Sequence, residues 1–313
     1  MTDTQTSLDA VYSIAASPAF ASDGVCFAGR ASGLYRSDDG GHTWRNTFEV
    51  LNLEAPLAAT AVALSPDFAS DREVFAGVSG GVLRSPDGGQ TWYFAVLPAP
   101  PPVITALAIS PNYVEDGTLF AGTAQDGVYC STDRGARWTA WNFGLLDLGV
   151  LSVSISPDFA SDETVFVGTE TGLFRSTNGG RAWREVGLSP DVAPVISLAI
   201  SPRFAEGGAL WAGTESHGLF VSDDRGQSWR PVGEGAFTGA VNGIALSPDY
   251  PSRPHVLALL DRALLVSRDG GLSWAGWGAA ALDDALICLV APLGIDPGAP
   301  LLVGTARSGV LRL

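Results

Sequence analysis

The chain has 313 residues, of which 46% are hydrophobic, and a formal net charge of −15. So acidic a chain argues against nucleic-acid binding, which needs cations to neutralise phosphates, and against adsorption to an anionic membrane surface. All 18 basic side chains are arginines, which excludes Schiff-base chemistry and a lysine general base.

The N-terminus and the cysteines carry no sign of export or of a disulfide framework. Residues 1–10 contain neither a basic region nor an apolar core, so we expect no secretory signal and a cytoplasmic, bacterial-type protein. No run of 18 or more apolar residues is present, so we expect no membrane insertion. Cys26, Cys130 and Cys288 each lie in an apolar run, which predicts small buried side chains.

An eight-residue motif, Ser-x-Asp-x-Gly-x-x-Trp, occurs six times. Its tryptophans follow one another at steps of 45 to 48 residues. The residues at the Asp and Trp positions are Asp39 and Trp44, Asp87 and Trp92, Asp133 and Trp138, Asn178 and Trp183, Asp224 and Trp229, and Asp269 and Trp274. A period this regular predicts a closed or stacked array of one supersecondary unit.

Each unit has the same order of predicted elements. A short apolar strand with small residues on one face ends in Ser-Pro, and an aromatic residue follows two positions after the proline. In the fourth unit a second strand covers 164–169, and a third covers 172–176 after a tight turn. The motif then forms a hairpin into a fourth strand that begins at the tryptophan. Four short strands joined by Gly-rich turns are typical of one propeller blade, with the first strand innermost.

A seventh unit lacks the motif. The glycine that opens the third strand recurs at Gly309, one period after the equivalent Ala263, and the unit stops after strands at 285–292, 300–305 and 308–313. We predict that residues 1–10 supply its outer strand and close the ring, because this pairing removes a free sheet edge.

The predicted fold is therefore all-β, a single seven-bladed β-propeller domain of four-stranded blades over residues 1–313. The predicted blades are 11–50, 59–96, 103–143, 150–187, 195–233, 241–277, and 285–313 with 1–10.

The motif resembles the Asp-box, or bacterial neuraminidase repeat, in copies that cover nearly the whole chain. Asn178 replaces the aspartate of the fourth copy and keeps an acceptor. Families with this repeat include sialidases, xyloglucan-cleaving glycosidases, sortilin-type receptors and the propeller that assists photosystem II assembly. The single ring is most similar in plan to the last. The resemblance implies that the Asp-boxes are structural and lie away from the usual ligand face.

Catalytic candidates are few. The Arg-Ile-Pro motif of sialidases is absent, and every tyrosine except Tyr93 has a position in the repeat, so a sialidase is not expected. A glycoside hydrolase would need two carboxylates across a cleft. The weak candidates are Asp126, Glu170, Glu215 and Asp261, on turns between second and third strands. A rim of ordinary solvated turns is the favoured alternative.

Metal binding has little support in the sequence. His42, His217 and His255 lie in different units and match no ligand spacing. An aspartate recurs at one position of the loop between first and second strands, as Asp23, Asp71, Asp116 and Asp162. A turn aspartate of this kind is typical of a local backbone cap. We therefore expect neither a metal nor a cofactor.

The linkers between blades differ from one another, and several are apolar, which favours a protein-binding patch. The candidate partner-binding residues are Trp141, Phe143, Trp277, Phe94, Leu53, Arg30, Arg307 and His217. The alternative that these side chains fold back over the gaps between blades stays open. The sequence thus predicts a noncatalytic protein-binding scaffold or an assembly or stability factor. The alternative is a glycan-binding or glycoside-hydrolysing propeller.

Overall fold

The computed structural model describes residues 9–98, 101–233, 235–278 and 283–313. Seven antiparallel sheets follow one another along the chain, six of four strands and one of three. The inner strand of each sheet packs against the inner strands of both neighbouring sheets, and the first packs against the last. The chain is therefore an all-β, seven-bladed propeller, as the repeat predicts.

The strands of each blade run in chain order from the ring axis outwards. The innermost strands are β1 (Val11–Ala16), β5 (Ala61–Leu64), β9 (Ile104–Ile109), β13 (Val150–Ile155), β17 (Val195–Ile200), β21 (Val241–Leu246) and β25 (Leu286–Val290). The second strands are β2 (Cys26–Arg30), β6 (Val74–Val78), β10 (Leu119–Thr123), β14 (Val165–Thr169), β18 (Leu210–Thr214), β22 (Val256–Leu260) and β26 (Leu302–Thr305).

The third strands are β3 (Gly33–Ser37), β7 (Gly81–Ser85), β11 (Val128–Ser131), β15 (Leu173–Ser176), β19 (Leu219–Ser222), β23 (Leu264–Ser267) and β27 (Val310–Arg312). The outer strands are short: β4 (Arg45–Asn46), β8 (Tyr93–Val96), β12 (Thr139–Ala140), β16 (Arg184–Glu185), β20 (Arg230–Val232) and β24 (Ala275–Gly276). Two 3-10 helices, Phe48–Leu51 and Pro190–Val192, lie in linkers.

A one-turn helix follows the inner strand in five blades, and the sequence pattern did not predict it. These helices are α1 (Phe20–Asp23), α2 (Phe68–Asp71), α3 (Tyr113–Asp116), α4 (Phe159–Asp162) and α5 (Phe204–Gly207). In the first blade, Ser17 Oγ donates to Asp23 Oδ2 at 2.6 Å, and Asp23 Oδ1 accepts from the Val25 N–H at 2.9 Å. Because Asp71, Asp116 and Asp162 make the same bonds, the predicted role as local caps is confirmed.

The three cysteines are free thiols. Cys26 and Cys130 are buried, and burial raises the pKa of each to about 12. Cys288 is partly exposed by surface area, although burial also raises the pKa of its thiol to about 12. The prediction of buried side chains is therefore confirmed for the first two.

The seventh blade has three strands within the described residues. The outer strand predicted from residues 1–10 falls almost entirely on residues 1–8, which lie outside them. Ring closure is visible at the innermost strands, where Cys288 Sγ of β25 lies 3.5 Å from the Val11 carbonyl oxygen of β1 in the first blade.

Candidate protein-docking site

The two faces of the ring carry different connections. Turns between second and third strands bond to the linkers that enter the same blade; for example, Glu170 N–H donates to the Gly149 carbonyl at 3.1 Å. We call this side the linker face. The one-turn helices and Asp-box hairpins share the opposite side, the box face, where Gly40 N–H donates to the Gly24 carbonyl at 2.9 Å. The turns that carry the charged candidates therefore lie on the same face as the linkers.

The Asp-box residues are engaged inside their own hairpins. In the first copy, Asp39 accepts from the Thr43 hydroxyl at 2.6 Å and the Thr43 N–H at 2.9 Å. Together with the bond from Ser37 Oγ, these hold the pKa of Asp39 well below its ordinary value. Asn178 keeps the equivalent bond, accepting from the Ala182 N–H at 2.9 Å. The polar atoms of the motif are therefore occupied by hydrogen bonds that stabilise the hairpins.

The four candidate carboxylates lie on the linker face of four successive blades. Asp126 is partly buried, whereas Glu170, Glu215 and Asp261 are exposed. Asp261 Oδ2 lies 3.9 Å from Nε of its neighbour Arg262. None of the four carboxylates is hydrogen-bonded or ion-paired to another member of the set in the described part of the chain.

The two candidate arginines flank the contact between the first and seventh blades, and each contacts an acidic side chain of the same chain. Arg30 stacks over the Tyr35 ring at 4.3 Å and lies 3.5 Å from Asp9 Oδ2. Arg307 Nε donates to Asp284 Oδ1 at 3.2 Å. Because their charges are partnered, neither is a free anion-binding group.

The third polar candidate is exposed. His217 Nδ1 lies 3.1 Å from Ser216 Oγ on the fifth blade. In the part of the chain that the structure describes, no three His, Cys, Asp or Glu side chains form a potential metal site.

Three aspartates that sequence reasoning missed stabilise turns of the linker face. Asp9, Asp147 and Asp284 each precede an inner strand and accept from a turn N–H of the same blade. The donors are Ser32 at 3.0 Å, Thr171 at 2.8 Å and Ser308 at 2.7 Å. Although burial opposes it, hydrogen bonding holds the pKa of Asp147 and of Asp284 below the ordinary value. Their recurrence two or three residues before an inner strand is the signal that marks them.

Trp141 and Trp277 are partly buried and pack onto hydrophobic clusters between blades. The Arg181 guanidinium lies 5.4 Å from the Trp141 ring centroid, and Arg268 lies 5.8 Å from that of Trp277. The structure thus places both rings in gaps between blades, the packing role that the sequence left open.

Among the linker residues that the structure describes, the most exposed large apolar side chains belong to the segment 141–149, which we call the docking loop. Phe143 is 80% exposed and Leu146 is 81% exposed. Leu53, on the linker between the first two blades, and Phe94, on the outer strand β8, are half-exposed. The docking loop thus adds Leu146 to the residues predicted from the sequence.

The docking loop is fixed at several points. Asn142 Oδ1 accepts from the Val128 N–H at 2.8 Å, and its Nδ2 donates to the Asp126 carbonyl at 2.8 Å. The Phe143 carbonyl accepts from the Trp183 N–H at 2.8 Å. Leu145 is buried between the two exposed residues. The loop therefore presents its two exposed side chains from a backbone that is already ordered.

No protein-family model matches the chain, and no curated protein sequence matches it. Solved structures share its fold. YCF48 from Cyanidioschyzon merolae is 17% identical with a TM-score of 0.70, covering 98% of this chain and 96% of its own. A structure titled YCF48 bound to D1 peptide is also 17% identical, with a TM-score of 0.69.

Two longer proteins match over part of their length. The GH74 xyloglucanase from Xanthomonas campestris is 21% identical with a TM-score of 0.71, over 97% of this chain and 52% of its own. The extracellular domain of a one component system from B. thetaiotaomicron is 18% identical with a TM-score of 0.71, over 98% of this chain and 38% of its own. At these identities the likeness shows the fold alone. Within the described residues, no helix has the length and apolar character needed to cross a membrane.

Proposed function

We propose that this protein is a noncatalytic scaffold, or an assembly or stability factor, that binds a partner protein through the docking loop. The observation that carries the proposal is the exposure of Phe143 and Leu146 on an anchored backbone. Large apolar side chains at the surface of an ordered loop are the usual anchors of a protein interface. The fold likeness to YCF48, which has been solved with a bound peptide, supports the same class of function.

The energetics favour such an interface. Full burial of a Leu or Phe side chain contributes about 1.5–3 kcal/mol, so the two anchors together contribute about 3–6 kcal/mol. Because hydrogen bonds through Asn142 already order the loop, binding costs little additional backbone entropy. In a partner with an apolar groove, this burial would offset part of the free-energy cost of association.

Affinity purification from the native cell tests the proposal with three tagged forms. The wild type and a Leu272→Glu control are expected to recover the same partner, because Leu272 is 82% exposed but lies on the box face. The double variant Phe143→Glu, Leu146→Glu is expected to recover at least tenfold less of it. Equal recovery by the double variant, or equal loss in the control, contradicts the proposal.

A glycan-binding or glycoside-hydrolysing function stays a second prediction, supported only by fold likeness to a xyloglucanase. Its direct test is hydrolysis of xyloglucan by the wild type against a Glu170→Gln, Glu215→Gln variant. The predicted cytoplasmic location also stays a prediction, since one of the structures with this fold is an extracellular domain.

A further inference from the structure

Six of the seven gaps between blades contain the indole of an Asp-box tryptophan. Seven hydrophobic clusters separate neighbouring blades, and six of them include the tryptophan of an Asp-box, which packs against the preceding blade. Four of these indoles donate to a glycine carbonyl of their own hairpin. The other two cross to the preceding blade, where Trp92 donates to the Thr47 carbonyl at 3.1 Å and Trp183 to the Trp141 carbonyl at 2.7 Å.

The gap between the sixth and seventh blades has no box tryptophan. Its cluster contains aliphatic side chains and Trp277, which comes from the linker. A cavity of about 510 Å³ lies there, lined by Val266, Trp277, Ala299 and Leu313 together with Arg268 and Arg312. Leu313 occupies the repeat position at which the other blades place the first serine of the Asp-box. Of the nine tryptophans in the sequence, none remains to fill this space.

The gap between the third and fourth blades shows what an indole would meet. Trp141 and Trp277 both follow a box tryptophan by three residues. Each donates its backbone N–H to a third-strand carbonyl, Trp141 to that of Val128 and Trp277 to that of Leu264. The Trp141 carbonyl accepts the Trp183 indole N–H. The Trp277 carbonyl accepts no hydrogen bond from the described residues. Trp277, which lines the cavity, is therefore the counterpart of the residue whose carbonyl accepts an indole N–H in the gap between the third and fourth blades.

The charge at the cavity indicates which kind of residue would lie beside the tryptophan of a ligand. Both charged side chains of its lining are arginines, in a chain with a net charge of −15. Arg268 is committed to the Ile295 carbonyl at 2.8 Å and to His255 Nδ1 at 2.9 Å. Arg312 makes no ion pair with the described residues, so it is the group that complements an incoming carboxylate.

We propose that the gap between the sixth and seventh blades binds a tryptophan side chain supplied by a partner protein, on an extended segment with an acidic residue beside the tryptophan. The indole would stack near Trp277 and donate to its carbonyl, while the acidic neighbour pairs with Arg312. This site does not rest on the docking loop.

Fluorescence anisotropy of a labelled pentapeptide, Gly-Asp-Trp-Glu-Gly, tests the proposal with the full chain. The same peptide with alanine in place of tryptophan is expected to bind at least tenfold more weakly. Arg312→Glu is expected to weaken binding at least tenfold, and Ala299→Trp, which fills the cavity from within, to abolish it. The matched control Arg137→Glu, at a side chain that is 90% exposed on another blade, is expected to change the affinity less than twofold.

Several results would overturn the proposal. Equal affinity for the tryptophan and alanine peptides would show that the site does not recognise an indole. Equal effects of Arg312→Glu and Arg137→Glu would show that Arg312 forms no ion pair with the peptide. Peptide binding that appears only after deletion of residues 1–8 would show that this segment of the chain occupies the cavity. A dimer in sedimentation that the Ala299→Trp substitution dissociates would show that a second copy of the chain occupies it. The Phe143→Glu variant should bind the peptide normally, which separates this site from the docking loop.

Discussion

A buried network between the second and third blades carries a prediction that can be worked through. Glu73 is 5% exposed, and its carboxylate accepts from the Tyr113 hydroxyl and from the Arg84 guanidinium. Four other blades place phenylalanine where blade three has Tyr113, so Tyr113→Phe is expected to pack without strain. A hydrogen bond to a buried charged group contributes about 1.5–3 kcal/mol. We therefore expect Tyr113→Phe to lower the free energy of unfolding by about 2 kcal/mol.

Two other blades have threonine at the position of Glu73. The substitution Glu73→Thr removes the carboxylate and leaves the Tyr113 hydroxyl without its partner. We expect it to cost about 1–3 kcal/mol for the same reason. The double variant leaves no Tyr113 hydroxyl without a partner, and Arg84 loses its carboxylate just as in Glu73→Thr alone, so the loss should be smaller than the sum of the two single losses by more than about 1 kcal/mol. Urea unfolding of the four proteins measures this coupling. Losses that add within about 0.5 kcal/mol would refute the reasoning, because they would show that the two side chains do not stabilise one another.

Three further outcomes are expected. Bonds from the Ser228 hydroxyl and N–H lower the pKa of Asp224 from 3.8 to about 2. The stability it contributes is therefore present above its ordinary pKa and lost as the pH falls through about 2. Asp224→Asn should lose less stability than wild type between about pH 4 and pH 2 in acid titration followed by circular dichroism, and an unchanged acid transition contradicts this. Gly144 has φ +80° and a Cβ there would lie 2.4 Å from the Trp183 carbonyl oxygen, so Gly144→Ala should cost at least about 1 kcal/mol in urea unfolding, whereas Phe143→Ala should cost almost nothing. Since burial raises the thiol pKa values to about 12, a disulfide reagent at about pH 8 should label all three cysteines rapidly only in urea; rapid labelling of the native chain would show that the thiols are accessible.

The sequence was sufficient for the blades because every signal it used is local. A strand, a Ser-Pro, a glycine turn and an Asp-box lie within one period, and their hydrogen bonds close over a few residues, as between Asp39 and Thr43. The one-turn helices were not predicted because a single helical turn is too short to show apolar periodicity. Their signal was the capping aspartate, such as Asp23, which the sequence predicts as a cap without the turn that it caps.

The exposure of the linker side chains was harder to predict because it depends on contacts between blades. Trp141 and Phe143 lie two residues apart in one apolar linker, and no local pattern distinguishes the ring that packs in the gap from the one that faces solvent. The difference comes from the fourth blade, whose Trp183 bonds both residues' carbonyl oxygens. Likewise, Arg30 reads as a free surface cation until Tyr35 and Asp9 are placed around it.

The contact of β1 with β25 gives the ring one joint unlike the other six. Neighbouring inner strands elsewhere are joined by one period of chain, whereas Cys288 and Val11 are 277 residues apart. Since the entropy of closing a loop grows with the logarithm of its length, this joint costs about 1.5 kcal/mol more to form than any other. It is therefore expected to form last as the blades assemble along the chain, and to open first under force or denaturant.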